Sequence, residues 1–180
     1  DCLLSRGLGD VYKRQDLFLG VQVQIDNHNN KFIHQANYIN EVLKRFNMSN
    51  CKPASTPLDR DCYSVDESAI LEEGRYRELI GSLMYMAIAT RPDISFAIGY
   101  LSRFLDRPTQ KLWSAALRVL RYLKGTLDLG LEYRSDAKEE FLFFSDADHG
   151  ACPLSRKSVT GQLILGAGSP IFWASSRQHV

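Results

Sequence analysis

Thr109-Gln110-Lys111-Leu112-Trp113-Ser114-Ala115-Ala116-Leu117-Arg118-Val119-Leu120-Arg121-Tyr122-Leu123-Lys124-Gly125 is the stretch that decides the fold. Leu112, Ala116, Val119, Leu120 and Leu123 recur at helical spacing and form one apolar stripe. Thr109 suits the N-cap, where its hydroxyl accepts a free backbone N–H, and Gly125 suits the C′ position. Lys111, Arg118, Arg121 and Lys124 are the only charges of this helix, with no acid between Thr109 and Leu127. Positions 111 and 118 lie a heptad apart, and 118 and 121 are neighbours across one turn. Such a stripe can track a phosphate backbone, or it can be solubilising charge on the exposed side of a packed helix. Both readings stay open on these residues alone.

Upstream, the helical period continues. Tyr76, Leu79, Ile80, Leu83 and Ala87 share one face of a helix over Tyr76–Ala89. Arg91-Pro92-Asp93 starts another, with proline in the first turn where its missing N–H costs nothing, and this helix runs to about Leu105. Tyr38, Ile39, Val42, Leu43 and Phe46 mark a fourth, and Lys44 and Arg45 in its last turn complement the dipole. Pro53 and Pro57 favour an extended strap over Cys51–Leu58. Before these lies a hairpin over residues 16–35: Leu17, Leu19, Val21, Val23 and Ile25 alternate with period two, and Asn27-His28-Asn29-Asn30 is turn chemistry. Residues 1–15 carry no sustained period and read as foreign to the domain. After Gly130 the pattern returns to strands: Glu140–Phe144 leading into Ser145-Asp146-Ala147-Asp148, then Gln162–Leu165 and Ile171–Ala174. These predict a three-stranded meander. No covering helix follows it, so it is expected to be bare, loose and less protected than the third helix of the block.

Composition is that of a globular chain: 44% hydrophobic and 24% charged, with a formal net charge of +1 over 180 residues. A disordered chain, a histone-like tail and a membrane helix are excluded. Charge is nevertheless segregated. Residues 61–74 hold five acids and no base; 75–126 hold nine bases against three acids; 127–150 hold seven acids against two bases. An acidic linker, a basic helical block and an acidic strand region suit a chain that handles nucleic acid with metal nearby, although solvated faces can segregate by chance. The four cysteines lack metal or disulfide spacing, which points to a reduced, intracellular protein.

Several strings occur in one order: Phe18-Leu19-Gly20-Val21, Gln35 through Met48, Cys51-Lys52-Pro53, Ser55-Thr56-Pro57-Leu58 and Tyr76-Arg77-Glu78-Leu79-Ile80-Gly81-Ser82-Leu83-Met84-Tyr85. They continue with Thr90-Arg91-Pro92-Asp93-Ile94, Leu101-Ser102-Arg103-Phe104, Arg118 through Thr126, Ser145-Asp146-Ala147-Asp148 and Arg156-Lys157-Ser158. From Asp16 onward the chain resembles the C-terminal part of copia-type retrotransposon Pol polyproteins. The likeness covers the end of the reverse transcriptase, its connecting helices and the start of ribonuclease H. It implies an α+β fold: a β-hairpin, a helical thumb or connection block, then an incomplete ribonuclease H-like β-meander. The implied segments are a non-native leader (1–15), the end of the palm with the primer-grip hairpin and thumb start (16–60), an acidic linker (61–74), the helical thumb or connection (75–126) and the first nuclease strands (127–180).

The resemblance also implies roles. Leu19 and Gly20 fall in the hairpin that holds the primer terminus, where a bare backbone can approach a strand closely; a glycine of a ligand-free bulge is the alternative. Asp146 takes the place of the catalytic, metal-binding aspartate of ribonuclease H, and Asp148 can share its strand face as a second ligand of Mg²⁺. His149 is a further ligand candidate or a loop histidine. Lys111, Arg118, Arg121, Arg156 and Lys157 are the expected nucleic-acid contacts. Partners would be an RNA–DNA hybrid or duplex and the rest of the Pol polyprotein, with no membrane. The place would be intracellular, cytoplasmic in virus-like particles or nuclear. Tyr12 is followed by Lys13-Arg14, so no Tyr-x-Asp-Asp string is present, and the nuclease's other acids do not follow Asp146 here. The expectation is a fragment inactive alone; the alternative is a non-catalytic nucleic-acid-binding or helical scaffold remnant.

Overall fold

A computed structural model describes residues 5–6, 14–59, 73–137, 140–150 and 156–179. The fold is α+β, as expected. Among the described residues, eight strands form two antiparallel sheets, accompanied by four α-helices. Strands β1 (Ser5–Arg6), β2 (Arg14–Phe18), β3 (Val21–Ile25), β4 (Lys31–His34) and β5 (Leu129–Tyr133) make the first sheet in the order β1-β5-β4-β3-β2. The second is the predicted meander, β6 (Leu142–Ala147), β7 (Val159–Gly166) and β8 (Ser169–Arg177), in chain order.

The alternation from Leu17 to Ile25 is not one strand. Leu19 and Gly20 take φ of 50° and 80°, and Phe18 pairs with Val21, so a two-residue turn breaks the run into β2 and β3. Period-two alternation continues through such a turn because the count of residues does not reveal the reversal. Within residues 1–15, Ser5–Arg6 pairs with β5 and Arg14 opens β2. The Ser5–Arg6 strand comes from long-range pairing, which no local period signals, and Arg14–Asp16 from continuing the hairpin back along β3. The second turn follows the sequence reading, with Asp26 added: its Oδ1 accepts from the amides of His28 and Asn30, both at 2.8 Å.

Helix α1 (Ala36–Arg45) buries Ile39, Val42 and Leu43. Its own first turn lacks a capping side chain, and Gln22 of β3 supplies one, Oε1 accepting from Asn37 N at 2.8 Å. Helix α2 (Glu73–Ala89) buries the predicted face; the acidic residues 61–72 before it lie outside the described residues. The predicted third element is interrupted. A 3₁₀ turn (Pro92–Ile94), helix α3 (Ser95–Leu101) and a second 3₁₀ turn (Ser102–Phe104) replace one helix, with Pro92 in its first turn as expected. Helix α4 (Gln110–Gly125) begins as read, Thr109 Oγ1 accepting from Leu112 N at 3.3 Å. Its end differs. Gly125 is still helical and Thr126 is the C-cap. A Cβ on Gly125 would stand 3.0 Å from Pro53 Cβ, so close packing of the strap accounts for this glycine.

The four helices share one core, in which Ile39, Leu79, Leu83, Ile98, Val119 and Leu120 are almost wholly buried. The meander is not bare. Trp173 Nε1 of β8 donates to Ala87 O, one of the last carbonyls of α2, at 2.7 Å. The Tyr133 hydroxyl of β5 donates to Pro170 O at 2.6 Å. The most open strand is β6, every residue of which is exposed, led by Phe143 at 73%.

His34 is buried against Phe32, ring centroids 5.2 Å apart, and its Nε2 has no hydrogen-bond partner. Burial pushes the imidazole below its ordinary 6.5. The unfolded chain therefore takes up this proton first. Stability from a neutral His34 is complete above pH 6.5 and falls as pH drops from there towards the folded value. Urea titrations at pH 7.5 and 5.5 should show the loss, and His34→Phe should shrink it. An equal loss in the variant would acquit His34.

Candidate nucleic-acid interface

The tip of the β2–β3 hairpin projects from the first sheet. Leu19 is 77% exposed, and Leu17 and Phe18 beside it are nearly as open. A leucine in the left-handed region carries a cost of about 1 kcal/mol. The turn is propped from behind. The Tyr85 hydroxyl of α2 donates to Leu19 O, and Tyr85 meets Tyr38 edge to face with centroids 5.1 Å apart. Gly20 lies over the same pair, the nearest ring atoms about 3.9–4.0 Å from where its Cβ would be. Tyr38 and Tyr85 are thus the supports of the tip. Sequence reading placed both on helices without assigning this role, since nothing local links position 85 to position 19.

The basic stripe of α4 has a role beyond the two readings left open. It holds the strap. Arg121 Nε donates to Lys52 O at 2.7 Å, and Lys124 Nζ donates to Ser49 O and Cys51 O at 2.6 and 2.8 Å. Arg118 Nη2 donates to Thr56 Oγ1 at 3.0 Å while Nη1 pairs with Asp59 at 3.4 Å. In return Ala54 N donates to Arg121 O. Two prolines keep residues 51–58 out of regular structure, so their carbonyls need outside donors, and cationic donors suit them. Lys111 sits half-buried in the first turn of the same helix.

Behind α4, the Thr90-Arg91-Pro92-Asp93 string is a buried polar node. Arg91 is 0% exposed. Its Nε and Nη2 clasp both oxygens of Asp93 at 3.0 and 2.8 Å, and Nη1 reaches Thr126 O at 2.9 Å. Tyr122 donates to Asp93 Oδ2 at 2.7 Å and lies under the guanidinium. Burial, with Asp93 as acceptor, pushes the Tyr122 phenol up to about 12. Thr90 Oγ1 closes the node onto Gln35 at 2.8 Å.

Asp146 and Asp148 stand at the end of β6 and line a groove of about 940 Å³ between the meander and the Pro92–Phe96 turn, with Asp93, Phe96, Phe144 and Trp173. One oxygen of Asp146 accepts from Ala147 N, and one of Asp148 from Val159 N, both at 2.8 Å. Among the described residues no three His, Cys, Asp or Glu side chains gather as a metal would need. His149 is exposed in the loop that follows. Two carboxylates do not make the donor set of a Mg²⁺ pair, so the residues present do not fit it by themselves. Arg156 is exposed with φ of 55°, and Lys157 Nζ donates to His179 O. These two lie on the meander side, apart from both the tip and the strap.

Comparison with known proteins adds the family. The chain is 35% identical over 193 aligned residues to the retrovirus-related Pol polyprotein from transposon TNT 1-94 of Nicotiana tabacum, covering 98% of this chain. Against the Pol polyprotein from transposon RE2 of Arabidopsis thaliana it is 34% identical over 148 residues, 81% of this chain. An uncharacterized mitochondrial protein of Arabidopsis thaliana is 32% identical over 177 residues, which cover 95% of this chain and 73% of that protein. The chain belongs to the copia-type retrotransposon Pol family. It spans 14% of the length of the tobacco polyprotein and 10% of the RE2 polyprotein. No family model and no solved structure matches it. Within this Pol segment the quoted strings acquire structural reasons: the Phe18–Val21 string makes the propped tip, Cys51–Leu58 the strap, and Thr90–Ile94 the buried node.

Proposed function

We propose that this Pol segment joins the reverse transcriptase to the ribonuclease H of its parent polyprotein. In the parent, RNA-directed DNA synthesis would precede cleavage of the RNA strand of the hybrid, both with Mg²⁺. The segment contributes a primer-side tip at Leu19 and Gly20, a helical connection, and the opening sheet of the nuclease with Asp146. The remaining carboxylates for both reactions would come from the rest of the polyprotein, so the chain alone is inactive. The observation that carries this reading is the tip: a strained, largely exposed leucine is held in place by a tyrosine from another element. Strain retained at an exposed point is characteristic of a site that touches something.

Nucleic-acid contact is assigned here to the tip and, more weakly, to Lys111, Arg156 and Lys157. Arg118 and Arg121 serve the strap first. Leu19→Asn tests the assignment. Asparagine tolerates the left-handed region and suits this turn, so the variant should unfold about 1 kcal/mol later than the parent chain. Its affinity for a labelled primer–template duplex should nevertheless fall several-fold. Gained stability with unchanged affinity would mean that the tip touches no nucleic acid.

A second reading keeps support from one observation. The mitochondrial relative matches over 73% of its length, so a comparable unit makes up most of a much shorter protein. A helical, non-catalytic nucleic-acid-binding unit would retain the tip and the strap while Asp146 became dispensable.

A further inference from the structure

We propose that Thr56 is a phosphate-acceptor site for proline-directed serine/threonine kinases, and that Arg118 reads the phosphate. Two serine or threonine residues in the chain precede proline, Thr56 and Ser169. Ser169 is 2% exposed and hydrogen-bonded into β8, so a kinase cannot take it in the folded chain. Thr56 is exposed on a strap without regular structure, with Ser55 and Asp59 exposed around it. That is the open, extended presentation a kinase groove requires.

The surroundings favour the product. Thr56 Oγ1 accepts from Arg118 Nη2 at 3.0 Å and donates to Leu58 O at 3.1 Å. Arg118 Nε is buried with no hydrogen-bond partner, so the guanidinium carries a further donor beside the hydroxyl. In the transfer, the bond from the γ-phosphorus of ATP to its bridging oxygen breaks and a bond to Thr56 Oγ1 forms. ADP leaves, and the hydroxyl proton passes to the kinase's base. The threonine loses its bond to Leu58 O. It gains a group of charge near −2, and Arg118 can meet two of its oxygens with a planar fork. Asp59, 3.4 Å from Arg118 Nη1, then competes with the phosphate and is displaced. Phosphorylation would thereby tighten the strap on α4.

The test uses the full chain with MgATP and a proline-directed kinase, followed by peptide mapping and hydrogen exchange. Phosphate is expected on Thr56, absent from Ser169, and lost in Pro57→Ala. The Ala54 amide, which bonds Arg121 O, should exchange about tenfold more slowly after modification, as one added charge-assisted hydrogen bond predicts. Arg118→Gln should accept phosphate equally and show no slowing. Failure to modify the folded chain, whether or not a peptide of residues 49–59 is modified, would overturn the acceptor site. Modification without slowing, or with equal slowing in Arg118→Gln, would overturn the role of Arg118.

Discussion

Arg91→Met should lower the free energy of unfolding by about 3 kcal/mol, seen as an earlier urea midpoint at unchanged slope. The side chain is wholly buried and supplies hydrogen bonds to Asp93 and Thr126 at once. Methionine fills comparable space but leaves the Asp93 carboxylate, itself 17% exposed, without its cation. Breaking a buried pair from one side is the costly way to lose it, because the orphaned charge remains. Arg91→Met with Asp93→Asn should therefore be less damaging than Arg91→Met alone. Arg91→Lys should recover little, since an ammonium cannot grip both carboxylate oxygens and the Thr126 carbonyl together. If the double variant were as unstable as the sum of the single ones, the node would be packing and not a charge pair.

Gly130→Ala should cost about 3 kcal/mol, the upper end for overpacking. A Cβ there would stand 2.5 Å from Ile33 O and 2.8 Å from Phe32 Cζ. The carbonyl belongs to β4, which pairs with β5 through Ile33 and Leu131, so relief requires the two strands to part. Thermal unfolding would register the cost, and exchange at Leu131 and Ile33 should quicken more than in α4. A variant as stable as the parent would mean that β5 does not lie beside β4 as described.

Much of this was legible along the chain, for a physical reason. Each helix carries its own period, and in α1, α2 and α4 the predicted apolar positions are buried, Tyr38 only in part, because burial is what sets the period. Thr109 showed as a cap for the same reason: its partner is three residues away. Contacts between distant segments left no such trace. The break at Leu19-Gly20 kept the alternation intact, β1 owes its existence to β5, and Gly125 answers to Pro53 instead of to a helix end. The stripe on α4 is the sharpest case. Lys111, Arg118, Arg121 and Lys124 read alike in sequence, yet three of them hold residues 49–59, Arg121 and Lys124 through backbone carbonyls and Arg118 through Thr56 and Asp59, because two prolines far upstream leave acceptors that need donors. Asp146 was visible as an acid at a strand end, whereas its groove against Pro92–Phe96 depends on how β8 docks on α2 through Trp173.

The central claim is that this segment carries the first acid of a nuclease downstream of a polymerase. The most direct measurement is made on the uninterrupted Pol polyprotein with Mg²⁺, comparing Asp146→Asn with the parent for primer extension and for cleavage of an RNA–DNA hybrid. Asp146 lies on β6, remote in sequence from the tip of the β2–β3 hairpin, and aspartate to asparagine keeps its shape while removing the charge a divalent ion needs. The account predicts hybrid cleavage reduced at least about a hundredfold, a loss of at least about 2.7 kcal/mol in transition-state stabilisation, with primer extension within about twofold of the parent. Cleavage at the parental rate in Asp146→Asn would contradict it.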